Sequence, residues 1–265
     1  MREDLAIVVT TCTSYQDVLD IFFDLFDKNW NDCKYSVYVL GEKNIVSISN
    51  VIVIPSDSSI SWSKRILSAL QSFESEYIMF FMDDYFIKSR VENDYVKSML
   101  RFATDNDADY LRLTNKPYKF LPKFRNNLAR IKVKSPYSVN LQMALWKKEF
   151  LETILKNIDG SAWKVEEFLM TSALEGVFEG KKLFFTNKDQ IKIVNGVIKG
   201  KWSRKATRFL KGKKINYNNR RGKLSILITI RNNILYFFTL ITPIYLRTKL
   251  KKILSKMGFK FATKI

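Results

Sequence analysis

The sequence of 265 residues carries 45 Lys and Arg against 26 Asp and Glu, a formal charge of +19, and its 46% apolar content suits one sizeable packed domain with an appendage. It contains no histidine, which excludes Ser-His-Asp and Cys-His nucleophile systems and any His-ligated zinc site, so acid–base work falls to carboxylates, Lys or Tyr. Two cysteines, Cys12 and Cys33, make no disulfide framework and suit a reducing cytoplasm, Cys12 reading as a core thiol at a strand end.

Met-Arg-Glu-Asp leads straight into the apolar segment Leu5–Thr11, so no secretory leader is expected. Leu5–Thr11, Tyr35–Leu40 and Val51–Ile54 read as strands, with an amphipathic helix around Tyr15–Phe26 between the first two. Ser61 is a plausible N-cap for a helix with Trp62, Ile66, Ala69, Leu70 and Phe73 on one face. Tyr77–Met82 is a continuous apolar run, as expected of a strand covered on both sides. A helix over about Asp94–Ala103 and a strand at Tyr110–Leu113 follow. This alternation predicts an α/β fold with a mostly parallel, doubly wound, Rossmann-like sheet. Asn115–Lys134 is basic and irregular and reads as a loop or lid. Beyond it come an extended stretch Tyr137–Trp146, helices over Lys147–Asn157 and Trp163–Leu174, and short strands near Leu183–Thr186 and Ile191–Val194.

Charge divides the chain. From Lys199 onward lie 19 of the basic residues and none of the acids, which leaves 26 basic against 26 acidic residues before it. A neutral domain over residues 1–198 and a basic, mainly helical extension over 199–265 are therefore expected. Within the extension, Leu224–Leu246 is apolar but interrupted by Arg231, Asn232 and Asn233. The remaining run, Ile234–Leu246, is too short to cross a hydrocarbon core of about 30 Å as a helix and suits an interfacial position. An anionic cytoplasmic membrane surface is the expected partner, each Lys or Arg near it contributing about 1 kcal/mol. The same cations, interleaved with Trp202, Phe209 and Tyr217, are also compatible with a nucleic-acid-binding protein.

Three stretches could carry chemistry. Asp83 and Asp84 end the apolar strand Tyr77–Met82, at the sheet edge where open parallel sheets bind ligands. Such acids either hold Mg²⁺ or Mn²⁺ against a substrate diphosphate or merely cap the strand. Glu166 and Glu167 lie three and four positions after Trp163, so either carboxylate can share a helix face with the indole. Partial desolvation there would raise basicity, although an exposed acidic first turn gives the same pattern. The Gly196–Trp202 stretch places Lys199 and Lys201 around Gly200, suited either to a leaving diphosphate or to the first turn of the basic tail. Arg65, in Ser61-Trp62-Ser63-Lys64-Arg65, could meet phosphate or simply sit on a solvated helix face. Neither GxxxxGK[ST] nor GxGxxG occurs, which argues against P-loop ATPases and dinucleotide dehydrogenases.

Taken in order, Thr11-Cys12 with Tyr15, the run Asn29–Tyr35, Ser61-Trp62-Ser63 with Arg65, and Glu76-Tyr77-Ile78 leading to Asp83-Asp84-Tyr85 resemble bacterial GT-A-fold glycosyltransferases of surface-polysaccharide (O-antigen and capsule type) biosynthesis. Asp109–Leu113, Leu141–Trp146, Trp163 with Glu166 and Lys199-Gly200-Lys201-Trp202 extend the resemblance over about residues 5–202. It implies a GT-A-like fold and transfer of a sugar, with inversion, from a nucleotide-sugar donor of the UDP-sugar kind to a glycan or lipid-linked acceptor. The enzyme would be cytoplasmic and peripheral on the inner face of the membrane. The resemblance implies donor contacts from Thr10, Thr11, Gly41, Glu42, Arg65, Asp83, Asp84, Lys199 and Lys201, and acceptor contacts from Trp163 and Tyr85. Asp84 with Asp83 would bind the divalent metal, and Glu166 or Glu167 would be the base. The acids here form Asp-Asp-Tyr rather than a spaced DxD.

Overall fold

In β1 (Leu5–Thr10) all six side chains are buried, because the strand has neighbours in the sheet plane and helices above and below. Leu5, Ile7 and Val9 enter one apolar layer while Ala6 and Val8 enter the other, the two-residue period of a strand covered on both faces. The computed structural model describes residues 4–42, 51–115 and 128–229, the side chain of Glu42 excepted.

An eight-stranded sheet organises these residues in the order β3 (Ile52–Ser56), β2 (Ser36–Glu42), β1, β4 (Tyr77–Met82), β8 (Ala144–Lys147), β6 (Tyr110–Arg112), β9 (Leu183–Thr186) and β7 (Leu128–Arg130). The first four are mutually parallel, and β6 and β9 are parallel to each other. The mostly parallel sheet expected from the alternation is present. What the alternation does not disclose is β8, which enters antiparallel between β4 and β6, and β7, an antiparallel edge strand inside the stretch read as a lid. Residues 116–127 of that stretch lie outside the described residues.

Helices α1 (Gln16–Trp30), α3 (Asn93–Asp105) and α6 (Arg204–Gly212) supply Phe22, Leu100 and Leu210 to the layer on one face. Helices α2 (Trp62–Leu70), α4 (Lys148–Lys156) and α5 (Ala162–Glu175) supply Ile66, Phe150 and Leu169 to the other. Ser61 caps α2 by accepting the Lys64 N–H, as its position suggested, and Ser161 caps α5 the same way.

The boundary expected at residue 198/199 is not a packing boundary. Trp202, Ala206 and Leu210 are fully buried in the layer that holds Phe22 and Phe86, and Leu224 is buried as well. Charge marks the change in composition, but apolar side chains at helical spacing within the basic stretch still seek the core. The aromatics that a nucleic-acid reading would use for base stacking are drawn inward too: Trp202 is buried, and Phe209 and Tyr217 pack against the same layer. Of the apolar stretch Leu224–Leu246, only residues to Thr229 are described; Leu224 faces the core while Ile226, Leu227 and Ile228 are exposed. No helix among the described residues is long and apolar enough to cross a membrane.

Candidate active site

The parallel register of β1 and β4 sets Thr10 opposite Met82, so the residues that follow each strand meet at the carboxyl edge of the sheet. Thr11 Oγ1 donates to Asp83 Oδ2 at 2.6 Å, and the Asp83 N–H donates to the Thr10 carbonyl at 3.2 Å. The two acids occupy a two-residue turn into β5 (Tyr85–Ile87), which pairs with β10 (Ile193–Asn195). Asp84 thereby meets the next segment. Its carbonyl accepts the Gly196 N–H at 2.7 Å, and its Oδ2 accepts the Val197 N–H at 3.2 Å. Gly196 is needed for this approach, since a Cβ there would lie 2.7 Å from the Phe86 ring.

Beyond Gly196 the chain makes a tight hairpin of β11 (Val197–Ile198) and β12 (Lys201–Trp202). Its two turn residues, Lys199 and Gly200, both have positive φ (52° and 74°), the geometry of a type I′ hairpin turn. This turn is the structural content of the Lys-Gly-Lys-Trp motif.

A cavity of about 950 Å³ opens at this edge. Among the sequence-derived candidates, Thr10, Thr11, Arg65, Asp83, Asp84, Trp163 and Lys199 line it together, although they span 190 positions. Trp163, 62% exposed, stands at its rim on the first turn of α5. Gly41, Lys201 and Tyr85 do not line it. Gly41 is the penultimate residue of β2, one strand removed from the β1–β4 junction, and its carbonyl accepts from Ser56 Oγ at 2.8 Å; the Glu42 side chain lies outside the described residues. Lys201 lies exposed on the return strand of the hairpin. Tyr85 is buried, its hydroxyl occupied by the Leu141 carbonyl at 3.1 Å rather than presented to a ligand.

The two glutamates on α5 separate. Glu166 is half-buried, and its Oε1 accepts the Leu141 N–H at 2.7 Å. Glu166 and Tyr85 thus bind the N–H and the C=O of Leu141 respectively, and Tyr85 feels the charges of both Asp84 and Glu166. Neither glutamate lines the cavity; Glu167 is exposed because the next helical position turns about 100° away.

Burial pushes the Asp83 carboxyl up to about 8, against the lowering effect of the Thr11 bond and with the Asp84 charge adding to it. Burial raises Asp84 to about 6, partly offset by the Val197 N–H. Burial likewise raises Glu166 above the ordinary carboxylate range, with the Leu141 N–H opposing. Burial thus holds Asp83, Asp84 and Glu166 toward their neutral forms.

Among the described residues no group of three or more His, Cys, Asp or Glu converges. Two carboxylates are nevertheless a fitting set for Mg²⁺ or Mn²⁺ beside a diphosphate, because a hard cation bound through one or two acids completes its shell with substrate oxygens and water. Asp83 and Asp84 each commit Oδ2 to a protein donor, Thr11 Oγ1 and the Val197 N–H respectively.

Several wall residues were not singled out from sequence as site residues: Cys12, Tyr15, Trp62, Met82, Val197 and Ile198. Cys12 is no core thiol. It lies past the end of β1, partly exposed on the cavity wall, with its Sγ 3.1 Å from Ser14 Oγ. Its neighbours in sequence, at the mouth of a parallel strand, were the signal for both Cys12 and Tyr15.

No protein-family model and no curated protein sequence matches the chain. Among solved structures, it is similar to a nucleotidyl transferase from Methanothermobacter thermautotroptrophicus, with 11% identity, 72% of this chain and 91% of that chain covered, and a TM-score of 0.44. It is similar to S. aureus TarS 1–349 in complex with UDP, with 14% identity over 70% of this chain and 60% of that one, and a TM-score of 0.44. A cytidylyltransferase from Leptospira borgpetersenii serovar Hardjo-bovis gives 12% identity, coverage of 73% and 82%, and a TM-score of 0.42.

Proposed function

We propose that the chain is a glycosyltransferase that moves a sugar from a nucleotide-sugar donor, of the UDP-sugar kind, to a glycan or lipid-linked acceptor of surface-polysaccharide biosynthesis. One observation carries this reading: the acid pair Asp83–Asp84 faces a cavity at the carboxyl edge of the sheet whose wall also holds Arg65 and Lys199. Acids for a cation and bases for phosphate, in one cleft large enough for a nucleotide, are what a diphosphate leaving group requires.

In the proposed reaction the acceptor hydroxyl oxygen bonds to the anomeric carbon as the bond from that carbon to the diphosphate oxygen breaks. The electron pair departs with the nucleoside diphosphate, and the hydroxyl proton passes to the Glu166 carboxylate. Attack opposite the leaving group inverts the anomeric configuration. Glu166 is the assigned base because burial raises its carboxylate's basicity, whereas Glu167 is exposed. Lys199 and Arg65 bind and orient the diphosphate, while Thr11 holds Asp83 in place. A divalent cation on Asp83 and Asp84 would supply charge neutralisation to the departing diphosphate. Trp163 offers an apolar, exposed face to an acceptor sugar at the rim.

Nucleotide sugars tested for thermal stabilisation, with and without Mn²⁺, check the reading. At a hundredfold excess over Kd the cognate donor adds about 2.7 kcal/mol to stability, a clear rise in Tm. If no nucleotide sugar shifts Tm in Mn²⁺ or Mg²⁺, the proposal fails.

We further propose that the enzyme works on the inner face of the cell membrane. Lys205, Arg208, Lys211, Lys213 and Lys214 are exposed with no acidic partner among the described residues, and Ile226, Leu227 and Ile228 lie exposed beyond them. The protein should sediment with vesicles containing anionic lipid, release at high salt, and ignore neutral vesicles. Failure to sediment with anionic vesicles, or salt-sensitive binding to RNA or DNA alone, overturns this part.

A further inference from the structure

Arg221 comes from the basic extension, yet its guanidinium ends beside the cavity. Nε donates to Asp17 Oδ2 at 3.0 Å and Oδ1 at 3.2 Å, and Nη2 donates to Asp17 Oδ1 at 2.6 Å, a forked grip on the first turn of α1. Nη2 also donates to the Ser14 carbonyl. The plane lies over the Tyr15 ring, its centre 4.1 Å from the centroid, and Tyr15 is cavity wall. With 13% of its side chain exposed, this pair is screened far less than the exposed ion pairs elsewhere on the molecule.

The segment that carries Arg221 is itself tied to the opposite wall. The Trp202 N–H donates to the Gly222 carbonyl at 3.0 Å, the Leu224 N–H to the Trp202 carbonyl at 2.9 Å, and the Trp202 indole N–H to the Asn218 carbonyl. Trp202 ends the hairpin whose first strand holds Asp84 through the Val197 N–H. The connection therefore runs from Asp84 through the hairpin and residues 218–224 to Tyr15 and Asp17, then back to Asp83 beside Thr11. Gly222 makes the last bend with φ 62° and ψ 176°, a region open essentially to glycine alone.

We infer that Arg221 is a positioning residue for nucleoside-diphosphate binding: it fixes the Cys12–Tyr15 wall against the hairpin wall, so that the basic extension is part of the donor pocket and not only an appendage to it. The inference rests on the nucleotide-sugar reading above and deepens it by assigning the spacing between the two walls to a residue 204 positions away from Asp17.

The test measures dissociation constants of UDP and GDP in Mn²⁺ for the full chain and for Arg221→Ala, Arg221→Lys, Asp17→Asn and Gly222→Ala, at a temperature where circular dichroism shows each to be folded. Arg221→Ala and Gly222→Ala should weaken the nucleotide that binds wild type by at least tenfold. Arg221→Lys, which keeps the charge but loses the fork and the stacking, should recover only part of that loss, and Asp17→Asn should weaken binding severalfold. In turnover assays the loss should fall on donor KM rather than kcat. Folded variants that bind the nucleotide like wild type overturn the inference while leaving the glycosyltransferase reading intact. A wild-type protein that binds neither nucleotide overturns both.

Discussion

Glu166→Gln should lower turnover by about 10²–10⁴-fold, the usual loss when a general base is removed, while leaving donor affinity near wild type. The amide still offers an oxygen to the Leu141 N–H, so the bond at 2.7 Å and the packing of α5 survive. What disappears is the acceptor of the hydroxyl proton. Glu167→Gln, at an exposed position, should stay within a fewfold of wild type. Steady-state rates with the donor found by thermal stabilisation separate the outcomes. If both variants turn over normally, no α5 carboxylate is the base. If only Glu167→Gln is impaired, the helix face has been assigned wrongly.

The second large effect is on stability. Asp83 titrates in the folded protein at about 8, while the unfolded chain ionises near the ordinary value of 3.8. Between those values the folded state keeps a proton that the unfolded state has lost. Stability is therefore greatest below about 4 on this account and falls as pH rises through about 8. Asp84, at about 6, adds a smaller decline that ends earlier. Asp83→Asn keeps the shape and a partner for the Thr11 hydroxyl but cannot ionise. In chelator-containing buffer it should be more stable than wild type at pH 9, on the order of several kcal/mol, and nearly equal at pH 4. Melting temperatures across that range measure this. An equal separation of the two proteins at every pH would show that the Asp83 charge is not desolvated. A raised pKa also means that Mn²⁺ must displace a proton, so its binding should strengthen as pH increases from 6 to 8.

These two acid clusters illustrate how unevenly the site could be read. Asp83 and Asp84 were visible because an unbroken apolar run leads into them, and a buried parallel strand ends where ligands bind. The adjacent Glu166 and Glu167 were indistinguishable by spacing, since both share a helix with Trp163. Only the packing of α5 against the Leu141 segment turned one inward. Tyr85 and Lys201, ligand contacts by family resemblance, are claimed respectively by a backbone carbonyl and by solvent. Arg221 had no local mark at all among the other cations of its stretch, since its role depends on a partner on the first helix.

The sequence by itself determined the alternating strands and helices of the two-layered sheet, the caps at Ser61 and the acid-bearing strand end, because periodicity and capping act over a few residues. It also determined where the charge changes, although Trp202, Ala206 and Leu210 beyond that point still enter the core. Tertiary structure alone decided that an antiparallel strand enters the middle of the sheet, that Trp202 is core, and that the extension returns to the cavity wall. Those outcomes depend on contacts between residues far apart in the chain, whose free energies are set by burial and by partner geometry rather than by any local pattern.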